Sequence, residues 1–173
     1  GIEDVNSLDI ELFRPIKSML AKKVDTIEEG FDEVGRPAAI DTKFDGMRAQ
    51  IHVKEGEVKI FTRRLENVTT QFPEDGSMIP FQKLSKRIKR KYDIQKLKSE
   101  IPVEVRPFDL IYDEESLLER PYSERWERLK DSVEEEETVL RLVDHEETSE
   151  EETVQELQQR SLSEGHEGIM MKS

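Results

Sequence analysis

The stretch AAIDTKFDGMR, residues 38–48, decides the fold of this chain. Its apolar part, Ala39 to Phe44, predicts a β-strand, and because strand side chains alternate between faces, Asp41 and Lys43 point the same way. Asp45-Gly46 predicts a tight turn, since glycine tolerates positive φ and aspartate can bond its own backbone. Lys43 is therefore expected at the end of a strand, just before a turn. Taken alone, so short a pattern favours a surface hairpin with scattered charges.

The composition predicts one heavily charged domain. A length of 173 residues is enough for a single core, and 39% of charged residues against 34% of hydrophobic ones indicates a strongly polar surface. The chain has no cysteine, which excludes disulfides and thiolate metal sites. No apolar run approaches the length of a membrane span, and the first residues do not form a signal peptide, so we expect no membrane association.

The net charge of −13 is unfavourable for contact with nucleic-acid phosphates, but the charge is unevenly distributed. Positive charge is dense between Lys83 and Lys98, whereas acidic residues concentrate in 134–137 and 146–152. A solvated helix is the default interpretation of this run, and the density of one sign over sixteen positions raises the odds of a phosphate-facing surface. A basic patch opposite a solvated acidic face is compatible with DNA binding.

The first half of the chain predicts a helix followed by a hairpin. The spacing in Asp25-Thr26-Ile27-Glu28 is that of a capping box, and Gly35-Arg36-Pro37 ends the helix that it opens. Alternation of apolar and polar residues over 49–63 predicts an antiparallel hairpin with one wet face. We expect His52 to lie solvated on that wet face.

The second half alternates helices and strands, since its apolar spacing changes between the two periods. The first predicted elements are a helix over 81–97 and a strand over 103–112, with Pro107 at an edge or bulge. A helix over 121–133 with Trp126 and Leu129 inward and a strand over 139–143 follow. The last two are a helix opened by a capping box at 148–151 and ending near Gly165, and a buried strand over 168–171.

Four ordered motifs give a more specific signal. The segment KFDGMR at 43–48 resembles the Lys-x-Asp-Gly-x-Arg signature of covalent nucleotidyltransferases, the group of DNA ligases, RNA ligases and mRNA capping enzymes. Later motifs of these enzymes are resembled, in the same order, by FTRRLE at 61–66, FDLIY at 108–112 with LL at 117–118 and PYSER at 121–125, and EGIMMK at 167–172. PFQKL at 80–84, with the basic run after it, points to the ATP-dependent DNA ligases of archaeal and eukaryotic type. The resemblance extends from Arg14 to Ser173.

The resemblance implies an α+β fold, with antiparallel β-sheets flanked by helices in a nucleotidyltransferase or ATP-grasp-like ligase core and the nucleotide pocket between the sheets. Residues 1–173 would form the adenylation domain, incomplete as given, with the flanking DNA-binding and oligonucleotide-binding-fold domains absent. The chain stops before the family's final lysine motif. The family's acidic strand motif is missing between Glu74 and Asp75. Because loss of a central strand would expose its neighbours' hydrogen-bonding edges, we expect additional residues at this join.

The resemblance also implies a reaction. The amine of Lys43 would attack the α-phosphate of ATP with Mg²⁺ or Mn²⁺, AMP would pass to a 5′-phosphate at a nick in double-stranded DNA, and the 3′-hydroxyl would displace AMP and seal the strand. The implied nucleotide-binding residues are Asp41, Thr42, Arg48, Arg63, Phe108 and Lys172. The implied metal ligand is Glu167, and the implied DNA-binding residues are Arg64, Lys83, Lys86, Arg87, Lys89 and Arg90. Asp41, where the family more often has glutamate, would accept a hydrogen bond from the adenine amine.

Simpler explanations exist for several of these residues. Phe108 could be a core residue, Glu167 a strand-end charge, and Arg63 and Arg64 charges of an edge strand. Two other functions remain as alternatives: an RNA ligase or capping-type nucleotidyltransferase, and a non-catalytic DNA-clasping module. For the favoured function we expect a monomer, cytoplasmic or, in a eukaryote, nuclear, with a sliding clamp contacting regions outside this chain.

Overall fold

A computed structural model gives the structure of the protein and describes residues 10–71, 104–136 and 140–173. Its helices are α1 (Ile27–Val34), α2 (Tyr122–Ser132) and α3 (Glu151–Ser163), and a 3₁₀ turn spans Thr69–Gln71. Its strands are β1 (Ala38–Lys43), β2 (Ala49–Lys54), β3 (Glu57–Thr62), β4 (Tyr112–Asp113), β5 (Glu115–Ser116), β6 (His145–Thr148) and β7 (Gly168–Lys172). These strands pair antiparallel, so the predicted combination of helices and antiparallel sheets is confirmed.

The central sheet has the strand order β6-β1-β7 and is built around the stretch that decides the fold. On one edge of β1, Asp41 lies opposite Met170 and Lys43 lies opposite Gly168. On the other edge, Asp41 lies opposite His145. Directly opposed residues of an antiparallel pair point to the same side, so the register assigns residues to two faces. The front face carries Ala39, Asp41, Lys43, His145, Met170 and Lys172.

The rear face of the central sheet packs against α1 and α3. Phe31 of α1, Ala38 and Ile40 of β1, and Val154 of α3 form one buried cluster. These positions are apolar because no water reaches them: Ala38 and Val154 have no exposed surface. Burial at this face fixes the register of β1, since a slip by one residue would turn Asp41 into the apolar cluster.

The front face is covered at one end by α2. Tyr122, Trp126 and Leu129 of this helix pack with Ala39 and Val143 in a second buried cluster, which confirms the predicted inward positions of Trp126 and Leu129. The side chain of Lys43, at the far end of β1, is 46% exposed. The sheet therefore has a closed end under α2 and an open end at the lysine.

The predicted hairpin is formed by β2 and β3, but its faces are reversed. The side chain of His52 is turned inward, and its residue is only 6% exposed, so the predicted solvated histidine is wrong. The segment before α1 covers this face: Phe13 N donates to His52 Nδ1 at 3.0 Å, and the Gln50 amide bonds both the N–H and the C=O of Ile16 at 3.0 and 2.6 Å. Ile51, on the opposite face, is 48% exposed.

The N-terminal caps of α1 and α3 differ from their predictions. The capping box of α1 uses Thr26 and Glu29, one residue later than predicted, with Glu29 N donating to Thr26 Oγ1 at 3.2 Å. The same helix ends at Gly35, as predicted, where φ is 89°. The predicted capping box of α3 is wrong: Glu150 is the N-cap without a side-chain bond, and Thr148 Oγ1 accepts instead from Glu150 N at 3.1 Å.

The predicted strand over 103–112 is mostly wrong. Within the described residues, Val105 forms an isolated parallel bridge with Leu140, and Val143 N donates to Pro107 O at 3.2 Å. Proline has no N–H to donate, which limits the ladder to these few bonds. The strand predicted over 139–143 is likewise reduced to bridges at Leu140.

β6 lies within the acidic stretch expected to be solvated, and the sequence does not predict it. The predicted helix over 81–97 and the join between Glu74 and Asp75 lie outside the described residues. In the three described segments, no helix combines the length and apolar character needed to cross a membrane.

Candidate functional site

Lys43 and Glu167 meet at the open end of the front face. Glu167 immediately precedes β7, and its N–H donates to the Lys43 carbonyl at 2.9 Å, which continues the pairing of the two strands by one bond. Their side chains form an ion pair between Lys43 Nζ and Glu167 Oε2. Both side chains are nearly half exposed, at 46% and 43%. The predicted nucleophile and the predicted metal ligand are therefore in contact and open to solvent.

A buried carboxylate lies two residues earlier on the same face. Asp41 is 2% exposed, and His145 Nδ1 lies 2.7 Å from its Oδ1. The Tyr122 hydroxyl lies 3.0 Å from Oδ2, which also pairs with Lys172 Nζ. Burial alone would raise the pKa of Asp41, but the bond from His145 and the charge of Lys172 outweigh it and lower the pKa. Asp41 is thus an ionised carboxylate inside the fold.

Phe108 lies next to this carboxylate. Its carbonyl oxygen is 2.7 Å from the Tyr122 hydroxyl and 3.2 Å from Lys172 Nζ, and its ring centroid is 4.8 Å from the same nitrogen. A hydroxyl has one proton, so Tyr122 donates to either Phe108 O or Asp41 Oδ2 at a given time. Burial, followed by the Asp41 charge, raises the pKa of Tyr122, so its proton is retained. Phe108 is 37% exposed, which leaves its ring partly accessible.

The backbone around Phe108 is held from the α2 side. Arg125 of α2 forms a two-bond ion pair with Asp109, at 2.8 Å from Nε and 3.2 Å from Nη2. Its Nη1 also donates to the Arg120 carbonyl at 2.7 Å. A bidentate arginine–carboxylate pair fixes orientation as well as distance. The PYSER segment therefore places the residue that follows Phe108.

Two arginines lie near each other at the hairpin. Burial and the positive charge of Arg63 lower the pKa of Arg48, and Arg48 Nη2 donates to Ser18 Oγ in the segment before α1. Arg63 and Arg64 are exposed just beyond β3. The contacts named here for Arg48 and Arg63 include no carboxylate. A pair of guanidinium groups of this kind is suited to binding an anion such as phosphate.

The side chain of Thr42 points away from the front face. Its backbone N–H donates to the Asp144 carbonyl at 3.2 Å, and strand alternation turns its side chain to the rear face. There it lines a cavity of about 60 Å³ with Ile40, Leu157 and Arg160. Any contact of Thr42 with a ligand on the front face would have to come from its backbone.

The front face thus brings together Asp41, Lys43, Phe108, Glu167 and Lys172. Lys43 and Glu167 meet at one position, and Phe108 and Lys172 lie around the buried carboxylate of Asp41. That all of them line one nucleotide cavity stays a prediction. The predicted DNA-binding residues Lys83, Lys86, Arg87, Lys89 and Arg90 lie outside the described residues. Sequence reasoning gave no role to Tyr122, although it is part of the PYSER motif. It also gave none to His145, whose acidic surroundings offered no local signal.

The fit of a divalent cation can be judged from the donors. Within residues 10–71, 104–136 and 140–173, no group of three or more acidic or histidine side chains is placed to hold a metal. Glu167 offers one partly exposed carboxylate beside Lys43. Mg²⁺ commonly keeps several waters and binds through one or two carboxylates plus substrate phosphates. The residues present therefore fit a cation that is shared with a nucleotide.

Comparison with known proteins assigns the chain to a family. The family described as "ATP dependent DNA ligase domain" matches residues 18–79 and 72–173. A DNA ligase of Methanopyrus kandleri is 38% identical over 199 aligned residues, covering 99% of this chain and 36% of that protein. The chain thus spans about a third of the length of such curated relatives.

Solved structures give the same fold at lower identity. A structure named Pmar-Lig_PreS3 superposes with a TM-score of 0.64 at 19% identity, covering 86% of this chain and 41% of that one. The ligase domain from M. tuberculosis LigD superposes with a TM-score of 0.55 at 19% identity, covering 80% of this chain and 48% of that one. On the extent of the family match and the identity to the archaeal relative, this chain belongs to the ATP-dependent DNA ligase domain family.

Proposed function

We propose that this domain carries the lysine that is loaded with AMP during ATP-dependent DNA ligation, and that Lys43 is that lysine. The observation that carries the proposal is the position of Lys43 at the open end of the front face, in contact with Glu167. Phe108 and Lys172 lie further along the same face. An ammonium group that is half exposed can be reached by a nucleotide.

The proposed reaction has three steps. The unprotonated Lys43 amine attacks the α-phosphorus of ATP, a P–N bond forms, and pyrophosphate leaves with the broken P–O bond. The AMP group then moves to the 5′-phosphate at a DNA nick, which frees the lysine. The 3′-hydroxyl displaces AMP and joins the strand. Charge builds on phosphate oxygens in each step, so positioned cations provide most of the catalysis.

Positive charge for these steps is available at Arg48, Arg63 and Lys172. Burial and the charge of Arg63 lower the pKa of Arg48, a cost to its charged form that a phosphate bound between the two groups would offset. Glu167 would hold Mg²⁺ or Mn²⁺ together with the ATP phosphates, and such a cation polarises a phosphoryl oxygen when bound. A cation on the Glu167 carboxylate would compete with its pairing to Lys43 and would leave the amine without that partner.

The adenine is proposed to stack on Phe108. A flat ring offers a large contact area at a small cost in side-chain entropy, and this ring is partly exposed beside Lys172. Asp41 and the backbone of Thr42 would complete the base side of the pocket. A carboxylate can accept about four hydrogen bonds and Asp41 has three partners in the fold, so a further bond from the adenine amine is compatible with its chemistry.

The proposed substrate is nicked double-stranded DNA. Arg64, exposed beyond β3, and the basic run Lys83, Lys86, Arg87, Lys89 and Arg90 would contact its phosphates. Binding should therefore weaken steeply with salt despite the net charge of −13. A monomer working in the cytoplasm or nucleus, with a sliding clamp bound by other parts of the protein, would agree with this substrate.

The test is covalent labelling. The full-length protein that contains this chain is incubated with Mg²⁺ and either α-labelled ATP or α-labelled GTP, and then separated by denaturing electrophoresis. We expect label from ATP that survives denaturation and is discharged by nicked DNA. Label from GTP alone would favour a capping-type enzyme. No label from either nucleotide would favour a DNA-clasping module.

A further inference from the structure

We propose that His145 is a positioning residue of this site: it holds the buried Asp41 carboxylate, and through it holds Lys172 over Phe108. The proposal rests on the proposed nucleotide site but assigns a residue that none of the ligase motifs contains. The proposal is based on the positions of the atoms around the Asp41 carboxylate. His145 Nδ1 lies 2.7 Å from Asp41 Oδ1, and Lys172 Nζ pairs with the other oxygen of the same carboxylate.

The imidazole of His145 is itself fixed. Its ring stacks on Trp126 with centroids 4.1 Å apart and planes inclined by 27°, and its side chain is 12% exposed. The Tyr122 ring lies beside it at 5.8 Å. His145 also begins β6, where it is paired in register with Asp41 on the backbone. The donor nitrogen is therefore held by the strand on one side and by an aromatic ring on the other.

The carboxylate depends on this donor because it is buried. The Asp41 side chain is 3% exposed, and removing one partner from a buried charge costs far more than the same loss in water. With Oδ1 unpartnered, the carboxylate would rotate or take a proton, and its hold on Lys172 through Oδ2 would weaken. Lys172 Nζ also lies 3.2 Å from Phe108 O and 4.8 Å from the centroid of the Phe108 ring. A displaced Lys172 would therefore disturb the ring on which adenine is proposed to stack.

The direction of the hydrogen bond follows from the chemistry. An ionised carboxylate only accepts, so Nδ1 of His145 must carry the proton. In the neutral imidazole this leaves Nε2 without one. His145 should therefore have its proton on Nδ1 in the folded protein, whether or not a nucleotide is bound.

The test compares two replacements in the full-length protein. His145→Phe keeps a ring against Trp126 and removes the donor, whereas His145→Asn keeps a donor nitrogen near the position of Nδ1 and removes the ring. Glu146→Gln, an exposed neighbour on β6 that points to the rear, is the matched control. The readouts are the dissociation constant for ATP, measured in a Lys43→Ala background, and the melting temperature of each variant.

We expect His145→Phe to weaken ATP binding about tenfold, the loss typical of one bond to a buried charge, while His145→Asn stays within about threefold of the parent. In a Lys172→Met background, His145→Phe should add less than about threefold, since the path through Lys172 is already broken. Two results would show that His145 only packs against its neighbours. One is an equal loss of ATP affinity in His145→Phe and His145→Asn, and the other is a full tenfold loss from His145→Phe in the Lys172→Met background.

Nitrogen-15 NMR of the histidine rings gives a readout that needs no nucleotide. The chain has three histidines, and the His145→Asn variant assigns the signals of residue 145. We expect Nδ1 to be protonated and its proton signal to lie downfield. We expect that downfield signal to be lost in Asp41→Asn. An unprotonated Nδ1 would overturn the proposal even in a protein that labels well with ATP. Failure of the parent protein to label would instead count against the proposed function alone.

Discussion

Lys43 and Glu167 are joined twice, by a backbone bond from Glu167 N to Lys43 O at 2.9 Å and by the ion pair of their side chains. The backbone bond holds the two residues side by side, so their side chains can meet without any change in the fold. An ammonium group in an ion pair has no free lone pair, so it is not the nucleophilic form of the lysine. The arrangement therefore suits a lysine whose reactivity is released when another cation takes the carboxylate.

The first prediction concerns the nucleophile. In the full-length protein, Lys43→Ala should abolish covalent labelling by α-labelled ATP, because it removes the amine that forms the P–N bond. Lys43→Arg should fail as well, since guanidinium stays protonated at neutral pH. Lys54→Ala and Lys59→Ala, which remove lysines of the hairpin, should label like the parent. Labelling retained in Lys43→Ala would remove the central claim.

The second prediction concerns the carboxylate partner. Glu167→Gln should slow labelling at least about tenfold and raise the Mg²⁺ concentration needed for half-maximal rate. The free energy of unfolding should change by less than about 1 kcal/mol, because an ion pair this exposed contributes little to stability. Glu164→Gln, an exposed neighbour, is the control. An unchanged Mg²⁺ requirement in Glu167→Gln would show that the metal binds elsewhere.

The third prediction concerns the hydroxyl of Tyr122. Tyr122→Phe keeps the ring in the buried cluster under α2 but removes the hydroxyl that lies 3.0 Å from Asp41 Oδ2 and 2.7 Å from Phe108 O. We expect the free energy of unfolding to fall by about 2 kcal/mol, because buried acceptors lose a partner. Chemical denaturation measures this, with Tyr112→Phe on β4 as the control. A loss no larger than the control's would show that solvent replaces the hydroxyl.

The sequence predicts those parts of the fold that depend on local signals. The apolar spacing of Trp126 and Leu129 is enough to place α2 and its inward face, and Gly35 is enough to end α1. Alternation along β2 and β3 also predicts the hairpin. It does not predict which face is buried, because that depends on the backbone groups of the segment before α1, which take His52 and Gln50 as partners. Contacts with the segment before α1 therefore bury the face of the hairpin that carries His52 and Gln50, and not the face that carries Ile51.

The candidate site shows the same limit. Lys43 and Glu167 belong to motifs with fixed residue types, so resemblance can name them and the fold can bring them together. His145 stands in the run HEET, which has no apolar alternation, and β6 forms because the edge of β1 needs hydrogen-bonding partners. No pattern in the sequence predicts a pairing between residues 41 and 145. The burial of Asp41 and its pairing with His145 could therefore be found only in three dimensions.

The fourth prediction concerns pH and the segment before α1. Burial lowers the pKa of His52 from its usual 6.5, and Nδ1 must be unprotonated to accept from Phe13 N. The unfolded chain therefore binds the proton first as pH falls below 6.5, and the stability that the neutral form contributes is lost between 6.5 and the lower folded pKa. Hydrogen exchange at the Phe13 amide should lose protection in that window.

The variant for this prediction is His52→Asn, whose side-chain oxygen can accept near the position of Nδ1 and does not titrate. Its Phe13 amide should keep the same protection factor from pH 7 to pH 5. His166→Asn, which removes a histidine outside this segment, should lose protection as the parent does. Protection that is independent of pH in the parent would mean that His52 is not what holds the segment.

The last prediction concerns the join between Glu74 and Asp75. The family matches this chain in two pieces, 18–79 and 72–173, which overlap across that join. The alignment to the Methanopyrus kandleri ligase is 199 residues long, more than the 173 residues of the chain. Relatives therefore carry residues that this sequence lacks, and the overlap locates a gap at 72–79. A true deletion of a central strand would leave its neighbours with unpaired backbone groups, which is costly.

We therefore expect the protein in its native cells to carry an acidic segment at this join. Trypsin cleaves after Arg64 and Lys83, so the sequence as written gives one peptide covering residues 65–83. Mass spectrometry of the native protein should fail to find that peptide and should find a longer or additional one that begins with Leu65. Detection of the 65–83 peptide at its calculated mass would establish a genuine deletion. Labelling by ATP should then be weak or absent, because the acidic strand would be missing from the site.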